Sequence, residues 1–158
     1  MDLIEWVEGQ AKENLQSRID NLDKLITDAN GFLKIILAGL SAASVYLLKI
    51  HASGNPEGWL SIGLIVTSVY LFLMATVLII KCLKADVFYP PTNEPRNLYQ
   101  KEYDLLAIRE TELDNTQENI DFMVVRNTGI ADWLDRVKML IIFTPVVFLL
   151  TALVVVYL

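Results

Sequence analysis

At 158 residues the chain is long enough for one compact domain or a small membrane protein. Thirteen Lys and Arg against nineteen Asp and Glu give a net charge of −6, which argues against a phosphate-tracking nucleic-acid binder, so no nucleic-acid partner is expected. With 54% hydrophobic residues and a mean hydropathy of +0.42 it is too apolar for an ordinary soluble domain, and one cysteine and one histidine supply neither a disulfide framework nor a Cys/His metal cage.

Residues 1–31 read as an amphipathic cytoplasmic helix. Asp2 can cap its start, and Glu5 three residues later completes a capping-box spacing. Leu15, Ile19, Leu22, Ile26, Ala29, Leu33, Ile36 and Leu40 alternate in steps of four and three. That is a heptad seam, and it continues into apolar sequence unless Asn30-Gly31, a turn signal, interrupts it. The first thirty residues carry seven acids against three bases, which argues against a secretory leader. Anionic headgroups would repel such a helix lying flat, so a stalk packed on partner helices is expected.

Residues 32–83 read as a two-span transmembrane hairpin. Residues 59–80 hold 22 residues without a charge, about 30 Å of helix, the hydrocarbon thickness of a bilayer. The segment 32–50 is weaker, with fourteen uncharged residues between Lys34 and Lys49, whose stems can snorkel to the interface. The Gly/Pro turn HASGNPEG joins the two. Ala38/Ala42 and Gly39/Ala43 are overlapping small-xxx-small pairs that let helix backbones approach in lipid. They offer small residues on two faces, which predicts a homo-oligomer. Thr67, Ser68 and Thr76 are expected to bond across helices.

Residues 84–138 read as a cytoplasmic Pro-rich loop and helical segment. Tyr89-Pro90-Pro91 and Pro95 stop any helix. A helical run is then expected from about residue 97 to 126, with a seam at Tyr99, Tyr103, Leu106, Glu110, Leu113, Gln117, Ile120 and Val124. Glu110 and Gln117 fall on that stripe, where polar residues set register at a cost in stability. Asn127-Thr128-Gly129 reads as a break, and residues 130–138 as a short helix arriving at the bilayer.

Residues 139–158 are 20 residues without a charge, a third span in which Pro145 predicts a kink and Thr144 and Thr151 are further candidate cross-helix donors. Twelve basic residues lie on one side of the three spans and Lys49 alone at the outer turn. The positive-inside rule therefore predicts a multi-pass protein of the cell membrane, N-terminus cytoplasmic and C-terminus outside. The expected fold class is an all-α integral membrane protein, with three transmembrane helices and cytoplasmic amphipathic helices forming a stalk or bundle.

The usual tools of catalysis are mostly missing from the sequence. The single histidine, His51, lies in the outer turn, and Cys82, beside Lys81 and Lys84, reads as a bystander thiol. The acids Glu110, Glu112, Asp114 and Glu118 lack a Glu-x-x-His pair, so no metal is expected. No Walker or Rossmann glycine pattern occurs. The chain is expected to be no enzyme and to need no cofactor.

The layout resembles the small membrane effectors of bacterial anti-phage signalling, the Pycsar transmembrane effector family above all. Two stretches carry the likeness: IDNLDKLITDANGFLKIILAGL, residues 19–40, with Asp28 at the membrane approach, and QENIDFMVVRNTGIADWLDRVKML, residues 117–140. Where that family tends to have Lys-Ala after the aspartate, this chain has Ala29-Asn30-Gly31. Related two-span modules of other nucleotide-signalling defence systems look similar. The resemblance implies an effector of the bacterial inner membrane, awakened by an infection signal, that oligomerises and breaches the bilayer. It implies a cyclic nucleotide made by a partner cyclase. Such a ligand needs cations for its phosphate and a ring for its base. The cytoplasmic candidates are Arg96, Lys101, Arg109 and Arg126, with Tyr99 and Tyr103 for stacking. Two alternatives stay open: a non-catalytic anchor or structural subunit docking a soluble partner, and a small housekeeping ion channel.

Overall fold

The computed structural model describes residues 2–53, 58–84, 98 and 102–157. Among these, 95% are helical and none lies in a strand. Helix α1 spans Leu3–Ala52, α2 Gly58–Leu78, α3 Leu105–Ile142 and α4 Thr144–Tyr157, and a π-helical segment, Ile79–Leu83, continues α2. Helices Leu3–Ala52 and Gly58–Leu83 are each long and apolar enough to cross a membrane. Leu105–Ile142 with Thr144–Tyr157 makes a third if this pair, bent by 42°, is one span. Long apolar helices of this kind are consistent with a membrane protein. The residues fall into two compact units. Unit 1 holds 2–25, 98 and 102–129, and unit 2 holds 26–53, 58–84 and 130–157.

Asp2 occupies the N-cap position of α1, its carbonyl accepting from the Trp6 amide at 3.1 Å. The predicted seam is present. Leu15, Leu22, Ala29, Ile36 and Ala43, seven apart, are all buried, and Ile19, Ile26, Leu33 and Leu40 are half-buried beside them. Asn30-Gly31 does not interrupt the helix. Both residues are exposed, and Ala29 and Ile36 hold the turn on either side by burial. Local turn propensity is worth about 1 kcal/mol; burying a single isoleucine outweighs it at about 1.5–3 kcal/mol.

Helix α3 departs from the expectation in three ways. The helix proper begins at Leu105, after a turn at residues 102–103; Asp104 holds the N-cap position, its carbonyl accepting from the Ile108 amide, Leu98 is helical, and residues 97 and 99–101 of the expected run lie outside the described residues. It runs through Asn127-Thr128-Gly129 without a break. Asn127 is held across the helix pair, its Nδ2 donating to the Arg18 carbonyl at 2.8 Å, and no atom crowds Gly129. Its buried stripe is also shifted. Arg109, Leu113, Thr116, Ile120, Met123, Asn127, Ile130, Leu134 and Val137 alternate in steps of four and three and are all buried or half-buried. Glu110, Gln117 and Val124 are exposed, one position to the side. Both patterns share Leu113 and Ile120; they differ in whether the step after each is three or four.

Within unit 1, Glu8 pairs with Arg109 and Arg18 with Asn127, ascending together along both helices, so α1 and α3 pack parallel there. Within unit 2, α2 packs antiparallel on α4. Gly63 makes the close approach: a Cβ there would lie 3.0 Å from Phe148 Cε2 and 3.8 Å from the Ala152 Cβ. The expected kink is present. The helix breaks at Phe143, two residues before Pro145, which has no amide hydrogen for the Ile141 carbonyl. The Leu140 carbonyl accepts from the Phe143 amide at 3.1 Å and from the Tyr70 hydroxyl of α2 at 2.8 Å.

Candidate functional site: an ion-paired cleft in unit 1

Glu8 of α1 and Arg109 of α3 form a two-pronged ion pair. Arg109 Nε donates to Glu8 Oε1 at 2.7 Å and Nη2 to Oε2 at 2.9 Å. This fork-to-fork match is the strongest geometry a guanidinium offers a carboxylate, and it fits phosphate equally well. The seam places the two groups. Arg109 heads the half-buried stripe of α3, and Glu8 lies one heptad before Leu15 on α1. About a quarter of each side chain remains exposed, 28% for Arg109 and 25% for Glu8. The hydrogen bond from Arg109 holds the Glu8 carboxyl below its usual range; partial burial opposes this, and the charges of Arg109 and Lys12 add to it. The same bond raises Arg109, with Asp2 and Glu5 contributing.

Beside the pair opens a cleft of about 470 Å³. Leu98, Leu105, Ile108 and Leu113 line it with apolar surface, and Glu8, Lys12, Arg109 and Glu112 with charge. Its lining sets an apolar wall beside two acidic and two basic side chains, and the Arg109 fork within it is already engaged by Glu8.

Of the six sequence candidates the structure describes three, Tyr103, Arg109 and Arg126, and it does not bring these three together. Arg109 lines the cleft. Arg126 sits half-buried on the same helix, 17 residues further on, about 25 Å at helical rise, too far for one small ligand. Tyr103 is 62% exposed and does not line the cleft. Arg96, Tyr99 and Lys101 lie outside the described residues, as do the Pro-rich stop and residues 54–57 of the predicted outer turn. Glu8 and Lys12 were missed because the sequence shows them only as part of an acidic helix face. The clue was positional: Glu8 falls on the heptad line of Leu15 and Leu22.

Glu110 and Gln117, expected on the buried stripe, are exposed. Polar residues on the α1–α3 seam include Glu8, Arg18, Arg109, Thr116 and Asn127. Arg18 Nε and Asn127 Oδ1 are buried without a hydrogen-bond partner. Polar groups therefore interrupt the apolar packing along this stretch of the seam.

In unit 2 the two small-residue pairs have different surroundings. Ala43 is buried and Gly39 half-buried, a Cβ on Gly39 coming 3.4 Å from Leu71 Cδ1. These two serve packing inside the chain. Ala38 and Ala42 are exposed. The expected cross-helix hydroxyl bonds are absent among the described residues: Thr67, Ser68, Thr76 and Thr151 each donate to the carbonyl four residues back on their own helix, the nearest acceptor in an apolar setting. Thr144 Oγ1 is buried without a partner. Tyr70 makes the cross-helix bond instead. Among the described residues, no group of three or more His, Cys, Asp or Glu could hold a metal ion. No family model, no curated protein and no solved structure matches the chain.

Proposed function

We propose that the chain is a non-catalytic membrane effector: its unit 1 helices receive a signal, and its apolar helices respond by assembling and impairing the integrity of a bacterial inner membrane. The observation that carries the reading is the Glu8–Arg109 pair beside the cleft, on two helices that also supply unit 2. A signal that changes how α1 and α3 pack in unit 1 acts on helices that continue, without a break in hydrogen bonding, into the apolar bundle. Polar Arg18 and Asn127 on the helix seam support a packing balance that a ligand can shift. The ligand class is a small anion with an apolar or aromatic body, and the resemblance in residues 19–40 and 117–140 points to a cyclic nucleotide. Assembly uses the exposed face of Ala38 and Ala42. Producing the chain in bacterial cells with and without a nucleotide cyclase, and reading membrane potential, tests the proposal. Depolarisation that depends on the cyclase and is lost in Arg109→Ala supports it; polarised membranes in every arm contradict it.

A second reading, an anchor that docks a soluble partner, draws on the exposed apolar side chains of unit 1, Leu3 at 75% and Val125 at 74% among them. It predicts polarised membranes in every arm of the same assay.

A further inference from the structure

Unit 2 contains six lysines and arginines: Lys34, Lys49, Lys81, Lys84, Arg136 and Lys138. All six flank uncharged helix, Lys34 and Lys49 on either side of the run 35–48. Lys81 follows the uncharged run 59–80, and Arg136 and Lys138 precede the run 139–158. Two cations from different helices share one ring: Lys81 Nζ lies 5.3 Å and Arg136 Cζ 5.0 Å from the centroid of Trp133. Lys138 sits 5.6 Å from the Phe32 ring and is already paired with Asp135 at 3.2 Å. Lys81 and Arg136 have no carboxylate within 4.0 Å among the described residues, and both are exposed.

Two like charges gathered on one indole repel each other, and the ring's quadrupole offsets only part of that repulsion. An anion beside them removes it. At the end of an apolar helix bundle the available anion is the phosphate of a lipid headgroup, and an indole belongs at that depth. We propose that Lys81, Arg136 and Trp133 form a binding site for the phosphate of an anionic phospholipid. The lipid ties the end of α2 to α3. The site rests on membrane placement of the chain and is independent of any effector role.

The full chain carrying Trp6→Phe and Trp59→Phe keeps Trp133 as its one tryptophan. It is reconstituted in phosphatidylcholine vesicles containing either brominated phosphatidylglycerol or the same fraction of brominated phosphatidylcholine. Trp133 fluorescence is expected to be quenched more by the anionic bromolipid. Lys81→Gln with Arg136→Gln should remove that excess, each lost charge lowering local enrichment about fivefold. Lys49→Gln should keep it, as should Lys81→Arg with Arg136→Lys, which preserve charge; circular dichroism checks helix content in each variant. Equal quenching by the two bromolipids overturns the proposal, as does an excess that survives the double glutamine change. Inorganic phosphate that displaces the effect at concentrations below those of ionic screening would assign the site to a soluble anion and overturn the lipid.

Discussion

The Tyr70 hydroxyl donates to the Leu140 carbonyl across 2.8 Å, three residues before the break at Phe143. Pro145 leaves the Ile141 carbonyl without its helical donor, and the adjacent Leu140 carbonyl, which already accepts from the Phe143 amide, takes a second hydrogen bond from the helix opposite. The bend of 42° is thus pinned by a neighbour rather than left to the proline alone.

Tyr70→Phe should destabilise the bundle by about 0.6–1.7 kcal/mol, the range of cross-helix hydrogen bonds in membranes. In a Pro145→Ala background the same change should cost less, because straightening the helix at the break moves the Leu140 carbonyl away from the Tyr70 hydroxyl. Steric-trap or denaturant unfolding of the four variants gives the coupling directly, and additive costs would show that the two residues act independently.

Glycine substitutions should split by position. Gly63→Ala places a Cβ 3.0 Å from Phe148 Cε2, so the ring must move, at a cost of about 1–3 kcal/mol. Gly31→Ala and Gly129→Ala meet no atom within 4 Å in helical backbone and should each stabilise by about 0.5–1 kcal/mol. Thermal unfolding in detergent ranks all three, and a stabilising Gly63→Ala would refute the close α2–α4 approach.

The Glu8–Arg109 pair sets a pH dependence with a definite sign. The carboxyl is held low in the folded chain, so its contribution is complete above the unfolded value near 4.3. It fades as the pH falls through the lower folded value. Amide-exchange protection of residues 3–12 should therefore stay level from pH 8 to about 5 and drop below that. Glu8→Gln should remove the drop, which a purely global acid unfolding would not.

The two seams show what the sequence could and could not reveal. On α1 every line of the stripe is Leu, Ile or Ala, so the spacing of seven was legible from residue 15 to residue 43. On α3 the true stripe passes through Arg109, Thr116 and Asn127, whereas the neighbouring line offers Leu106 and Val124. Hydrophobicity alone favoured the wrong choice of three or four after Leu113. The break expected at Asn127-Thr128-Gly129 fails for the same reason: turn propensity is local, and the bond from Asn127 to Arg18 is not. The kink at Pro145 was legible because a missing amide hydrogen has the same consequence in any context. Arg109 was found by its charge; its partner Glu8 was not, because the register between α1 and α3 is a tertiary fact.

That register supplies another test. Asn127→Leu removes the bond to the Arg18 carbonyl, and unit 1 should lose about 0.5–1.5 kcal/mol of stability. Glu110→Leu and Gln117→Leu, on the exposed side, should change stability by less than about 0.5 kcal/mol. Chemical unfolding followed by far-ultraviolet circular dichroism separates the two groups.

Release of an entrapped dye from vesicles holding the purified chain, on addition of individual cyclic nucleotides, tests the gating claim most directly. Release by at least one nucleotide, absent from vesicles holding Arg109→Ala, is the predicted result; vesicles that stay sealed with every nucleotide, or leak equally with and without the arginine, would contradict it.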